Sequence, residues 1–130
     1  GGGGAIRIAS PTVITISGAL RVNGGDGGGT PRPALCCQGG GGGGGSGGAI
    51  HLSAPAIEVT GAVSAAGGRG GSSLSLFAKN GGGGGAGGLG RIRLSVNALK
   101  STGTWSPPLP PLLDGTANAR GLAWVKRWPR

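Results

Sequence analysis

The sequence predicts an all-β repeat protein, a short parallel β-helix of about three coils with glycine-rich arms and little or no α-helix. Three observations predict this fold: a unit that occurs three times, strand-like alternation inside each unit, and long glycine runs between the units. The units lie near residues 5–23, 49–66 and 91–105. Self-similarity at a nearly fixed period is the sequence signature of repeat architectures.

The internal repeat is clearest between the first two units, which align with one gap. The matching positions are Ile6 with Ile50, Ile8 with Leu52, Pro11 with Pro55, Ile14 with Ile57, Ile16 with Val59, Gly18 with Gly61, Leu20 with Val63, and Val22 with Ala65. The third unit begins at Arg91 with the same pattern. Apolar residues two positions apart indicate strands, and proline or glycine separates the pairs. Each unit therefore reads as three short strands with two corners, one coil of a β-helix.

Two excursions, residues 24–48 and 67–90, separate the units and share one layout. Each has a short glycine run, nine residues without glycine, and a long glycine run. We interpret each excursion as an arm that leads out, forms a tip and returns. A flexible linker is the alternative, because ordering glycine costs more backbone entropy than ordering other residues. Adjacent extended helices of the polyglycine-II type would instead satisfy one another's N–H and C=O groups.

The arms are expected to carry assembly. The glycines assigned to this role are Gly39, Gly40, Gly41, Gly42, Gly43, Gly44, Gly45, Gly81, Gly82, Gly83, Gly84 and Gly85. The tip of the second arm adds Leu74, Leu76 and Phe77, which we expect to make apolar contacts at the periphery.

The sequence divides into a three-unit β-solenoid, residues 1–103, and a basic tail, residues 104–130. The tail contains prolines and is too apolar for a solvated segment, with Trp124 and Trp128 near its end. Two interpretations stay open. The tail either caps the last coil of its own chain or docks on the next subunit.

The charge balance is strongly basic, with twelve Lys and Arg residues against three Asp and Glu, a net charge of +9. Such a charge favours polyanionic partners, for example acidic polysaccharide or extracellular DNA. Arg7, His51 and Arg93 occupy the same place in the three units and alternate with apolar residues. They predict an outward ladder at the strand spacing of about 4.8 Å. The ladder is either a polyanion site or a solvated face.

Catalytic and metal-binding residues are scarce, so the sequence predicts no enzyme, no cofactor and no metal site. There is one histidine, and the three acidic residues lie far apart in the sequence. Cys36 and Cys37 with His51 lack a fourth ligand and the spacing of a zinc site. Two interpretations of the adjacent cysteines stay open: they form intermolecular disulfides in an oxidising compartment, or they are two small apolar residues in a loop. The sequence contains no run of 18 apolar residues, so it predicts no transmembrane helix.

The glycine runs 39–48 and 81–88 resemble the polyglycine-II bundles of springtail antifreeze proteins and of some phage tail-fibre tips. The units GGAIRIASPTVITISGALRVNGG and GGAIHLSAPAIEVTGAVSAAGG resemble secreted, glycine-rich repetitive proteins of bacteria that are predicted as β-solenoids. The resemblance covers residues 1–103. Together with the repeat it leads to the hypothesis of a structural protein that polymerises with itself into an extracellular filament or surface coat. The alternative is an extracellular matrix adhesin or polyanion-binding module.

Overall fold

A computed structural model describes residues 1–29, 40–73, 82–110 and 122–129. Within these four ranges the chain forms ten strands and no helix, which confirms the predicted all-β solenoid. The strands are β1 (Ala5–Ala9), β2 (Val13–Ile16), β3 (Ala19–Arg21), β4 (Ala49–Ser53), β5 (Ala56–Val59), β6 (Ala62–Ser64), β7 (Arg91–Ser95), β8 (Ala98–Ser101), β9 (Thr104–Ser106) and β10 (Ala123–Lys126).

Each coil contributes one strand to each of three parallel sheets. Sheet A has the order β1-β4-β7-β10, sheet B has β2-β5-β8, and sheet C has β3-β6-β9. The strand pairs follow the sequence alignment residue by residue, as in Ile6 with Ile50, Ile50 with Ile92, and Val63 with Trp105. The repeat arises because every coil places its alternating apolar residues on the inside, where identical positions stack.

Burial along the stack shows which coil is covered on both sides. The inward residues of the middle coil are almost fully buried, with Ile50 and Val63 at 1% exposure and Leu52 at 0%. Their counterparts in the first coil, among them Ile6 and Leu20, are only partly buried. The first coil has a neighbour on one side alone. The N-terminal end of the stack therefore leaves an apolar cross-section uncovered.

Strand β10, in the described part of the tail after residue 121, lies at the opposite end of the stack. Strand β10 pairs in parallel with β7 and gives sheet A a fourth strand, so that Val125 lies beside Leu94 at 5% exposure. Strand β9, residues 104–106, completes the third coil by pairing with β6. The backbone N–H of Trp128 donates to Oδ1 of Asn97 at 3.1 Å and ties the chain after β10 to the last coil.

Some residues assigned to assembly, and the two adjacent cysteines, lie outside the described ranges. These residues are Gly39, Gly81, Leu74, Leu76, Phe77, Cys36 and Cys37. What the sequence predicts for these residues stays a prediction.

Candidate functional site

The described parts of the two arms lie side by side as extended backbone. We call residues 22–29 and 65–73 the outgoing legs, and residues 40–48 and 82–90 the return legs. Residues 1–4 lie beside the first return leg, where the N–H of Gly3 donates to the carbonyl oxygen of Ser46 at 2.7 Å. Together these segments form what we call the glycine bundle.

Hydrogen bonds in the glycine bundle repeat every third residue. The bonds from the first return leg to the second are Gly41 N–H to Gly82 O (3.0 Å), Gly44 to Gly85 (2.9 Å) and Gly47 to Gly88 (2.9 Å). The bonds to the first outgoing leg are Gly42 to Gly28 (2.8 Å), Gly45 to Gly25 (2.8 Å) and Gly48 to Val22 (2.7 Å). A threefold repeat with bonds to different neighbours is the polyglycine-II arrangement. The legs are therefore ordered, as the interpretation of the excursions as polyglycine-II arms predicts.

The second outgoing leg bonds to both return legs. Gly68 and Gly71 donate to Gly45 and Gly42, both at 2.8 Å, and Gly84 donates to Gly71 at 2.9 Å. A net gain of about 1 kcal/mol per hydrogen bond does not exceed the 1–2 kcal/mol needed to fix one residue's backbone. A single leg is thus too weakly bonded to be ordered alone. Several bonded neighbours, anchored at their bases by the β-helix, change that balance.

Glycine is required in the bundle for close approach of backbones. A Cβ atom added at Gly24, Gly41 or Gly87 would overlap the carbonyl group of a neighbouring leg. The described glycines do not adopt the left-handed backbone region that favours glycine. Their requirement is therefore steric, and substitutions act through contact with the next leg.

Side chains are sparse within the glycine runs of the legs, residues 24–29, 40–48, 67–71 and 82–90. The residues other than glycine in these runs are Asp26, Ser46, Arg69, Ala86 and Leu89. Gly43 lies three residues before Ser46, and a Cβ added there would be 3.9 Å from its nearest neighbouring atom. Gly83 lies three residues before Ala86, and the same distance there is 3.6 Å. A Gly-Gly-X phase was therefore present in the sequence and was missed, because glycine also fills most of the open positions.

Two polar side chains connect the outgoing legs. Oδ1 of Asp26 accepts the backbone N–H of Arg69 at 2.7 Å. Oδ1 of Asn23 accepts both the Ser64 hydroxyl at 2.7 Å and the Ala66 N–H at 2.9 Å. Because these carboxylate and amide oxygens bond to the backbone, they hold the two legs in register.

The arginine ladder lies on the outer face of sheet A. Arg7 pairs in register with His51, and His51 with Arg93, so the structure places all three in one column. Arg7 and Arg93 are exposed, and His51 is half-buried. Trp124 is the next member of the column, since it pairs with Arg93. The repeat does not predict this neighbour, because Trp124 lies in the tail, outside the repeat.

His51 has an unusual environment for an outward side chain. Its Nε2 atom is buried and has no hydrogen-bond partner among the residues that the structure describes. Burial lowers the pKa of His51 below 6.5, and the positive charges of Arg93 and Arg7 lower this pKa further. The imidazole is therefore neutral at pH 7.

We expect His51 to contribute a pH dependence of folding in a window that begins at pH 6.5 and extends to lower pH. The unfolded chain takes up a proton near pH 6.5 and the folded chain only at lower pH, so stability falls as the pH falls through this window. Thermal melts from pH 8 to 5 should show this loss, and His51→Gln should flatten it. An unchanged slope in the variant would contradict the assignment.

One ion pair occurs on sheet B, between Lys100 Nζ and Glu58 Oε1 at 3.0 Å. Its side chains are 79% and 39% exposed, so it contributes little to stability. The described ranges contain no group of three or more His, Cys, Asp or Glu side chains suited to a metal ion. In the same ranges, no helix has the length and apolar character needed to span a membrane.

Comparisons with known proteins found no matching family model, curated relative or solved structure. The function is therefore inferred from the geometry of the glycine bundle, the ends of the coil stack and the arginine ladder.

Proposed function

We propose that this protein is a structural protein that self-assembles into an extracellular filament or surface coat. The observation that carries the proposal is the uncovered N-terminal end of the coil stack. Ile6, Ile8, Ile16 and Leu20 are only partly buried there, although they occupy inward positions. Covering these side chains with a second copy would bury apolar surface, the main favourable term in protein association.

Strand edges support the same proposal. At the N-terminal end, β1, β2 and β3 are edge strands, and at the other end β8, β9 and β10 are the last described strands of their sheets. Edge strands carry unpaired N–H and C=O groups that can pair with another chain. Because the two ends differ, a contact between them is heterologous, and such contacts build open filaments when the rotation does not close.

The glycine bundle offers a second contact at its sides. A Cβ atom added at Gly82, Gly85 or Gly88 would have no neighbour within 4 Å, so this column of the second return leg is open. On the first outgoing leg, Gly28 is open in the same way. A leg from another copy can approach these columns as closely as the legs approach one another. Stacked subunits would thereby extend both the β-helix and the bundle.

Electron microscopy and sedimentation over a range of protein concentrations test this function. We expect particles that lengthen with concentration, because each added subunit covers the open end of the one before. Strand and glycine-helix reflections in fibre diffraction should accompany them. Dispersed monomers at high protein concentration would contradict the proposal.

A second candidate function is that of an extracellular adhesin or polyanion-binding module. The in-register column of Arg7, His51 and Arg93 favours it, together with the net charge of +9. Acidic polysaccharide and extracellular DNA are the partners considered. This function is compatible with self-assembly, since filaments would repeat the column along their length.

A further inference from the structure

A shallow groove of about 370 Å³ runs along the coil axis on the outer face of sheet A. Its floor includes the methyl groups of Ala5 and Ala49, which lie in register with Arg91. The arginine ladder and Trp124 form one of its sides. A second groove adjoins the first and shares the same alanines and Arg91. The surface is therefore elongated across all three coils.

Three arginines line this groove together with His51. Arg7 lies one coil before His51 and Arg93 one coil after, and Arg91 lies two residues from Arg93 on the same strand. All three arginines are exposed and lie on sheet A, whereas the Glu58–Lys100 ion pair lies on sheet B. Guanidinium groups bond carboxylates in a bidentate manner, so this cluster is suited to a ligand with several carboxylates.

We propose that this groove binds an acidic polysaccharide of the polyuronate class, in which every sugar carries one carboxylate. The two cationic rungs, Arg7 and Arg93, are two strand spacings or roughly 9.6 Å apart, with the neutral His51 between them. This separation is similar to that of the carboxylates on alternate sugars of an extended polyuronate. The apolar floor and Trp124 suit the faces of sugar rings, because an indole provides a flat amphipathic surface. The inference deepens the second candidate function and does not depend on self-assembly.

Nucleic acid fits the groove less well. Proteins that bind single strands without sequence preference stack successive bases on several aromatic side chains. Trp124 is the one aromatic residue that lines this groove in the described part of the chain. A single straight column of cations also spans too short a distance to follow the two phosphate backbones of a duplex.

His51 provides a direct spectroscopic signal for the bound state. It is the chain's single histidine, so its imidazole resonances are assigned without ambiguity. Carboxylates bound to Arg7 and Arg93 would offset the positive charges that lower the pKa of His51. Binding in the groove should therefore raise this pKa, whereas binding elsewhere on the basic surface should leave it unchanged.

The experiment is an NMR titration of the folded chain with oligogalacturonate, at a concentration where sedimentation shows monomers. We expect saturable shifts of the His51 resonances, a rise in its pKa and no response to a neutral glucan. Arg7→Gln with Arg93→Gln should weaken binding by about tenfold or more, since both charge-assisted contacts are lost. The charge-matched pair Arg21→Gln with Arg69→Gln, away from the groove, should bind within about twofold of the unaltered chain.

Two further comparisons test the class of ligand. Trp124→Leu should weaken oligogalacturonate binding and leave binding of polyacrylate, which has carboxylates without rings, unchanged. Equal losses in the two arginine pairs would mean attraction by net charge alone and would overturn the proposal. Oligothymidylate bound as tightly, with the same dependence on Arg7 and Arg93, would assign the groove to nucleic acid instead. Binding without a change at His51 would place the ligand elsewhere and would also overturn it.

Discussion

Replacement of Gly84 by alanine is expected to open the glycine bundle. The added Cβ would overlap the carbonyl group of Gly42 and lie 2.9 Å from the carbonyl oxygen of Gly41. These are backbone atoms, so no side chain can rotate away, and the legs must separate. We expect the free energy of unfolding to fall by about 3 kcal/mol, the upper part of the usual range for overpacking. Thermal melting should fall by roughly 10 °C or more.

The neighbouring residue provides the matched control. A Cβ at Gly85 has nothing within 4 Å, although Gly85 belongs to the same leg and its carbonyl oxygen accepts the Gly44 N–H at 2.9 Å. We expect Gly85→Ala to change stability by less than about 1 kcal/mol, because alanine also restricts the unfolded chain. Equal effects at the two positions would contradict the threefold arrangement, since flexible legs would not distinguish them.

The fold could be predicted because the internal repeat and the two-residue period of apolar residues both indicate stacked coils of short strands. The alignment of Ile14 with Ile57 and of Leu20 with Val63 is the register that the strands adopt. Inward positions must match from coil to coil. An alignment of the repeat units therefore predicts the register of the strands. The outward column of Arg7, His51 and Arg93 follows from the same alternation.

The remaining parts of the candidate sites depended on contacts that no local pattern encodes. Trp124 joins the arginine ladder only because β10 pairs with β7. The low pKa of His51 comes from its burial and from arginines about forty residues away in each direction. In the glycine legs, glycine occupies both the positions where an added Cβ would clash and the positions where it would have room. The Gly-Gly-X phase of the legs can therefore be inferred only from the few side chains that interrupt the glycine runs, such as Asp26 and Ser46.

Placing a lysine at the uncovered end of the coil stack is expected to abolish assembly. Leu20 points inward but is only partly buried, because no coil covers it on its N-terminal side. In a monomer, Leu20→Lys can extend its ammonium group out of the open end into water. In a filament the same charge would be buried without a partner, a cost of several kcal/mol. The concentration needed for assembly should rise by about a hundredfold or more.

Thr60→Lys is the control for this charge. Thr60 is exposed at the corner between β5 and β6 of the middle coil, away from both ends, so the variant gains the same charge without touching the stacking contact. We expect it to assemble like the unaltered chain, while both variants keep the circular dichroism of parallel strands. Assembly lost equally in the two variants would indicate that charge repulsion controls association. Assembly retained in Leu20→Lys would mean that subunits associate through the glycine bundle or another surface, because a buried, unpaired ammonium group would otherwise lie between stacked coils.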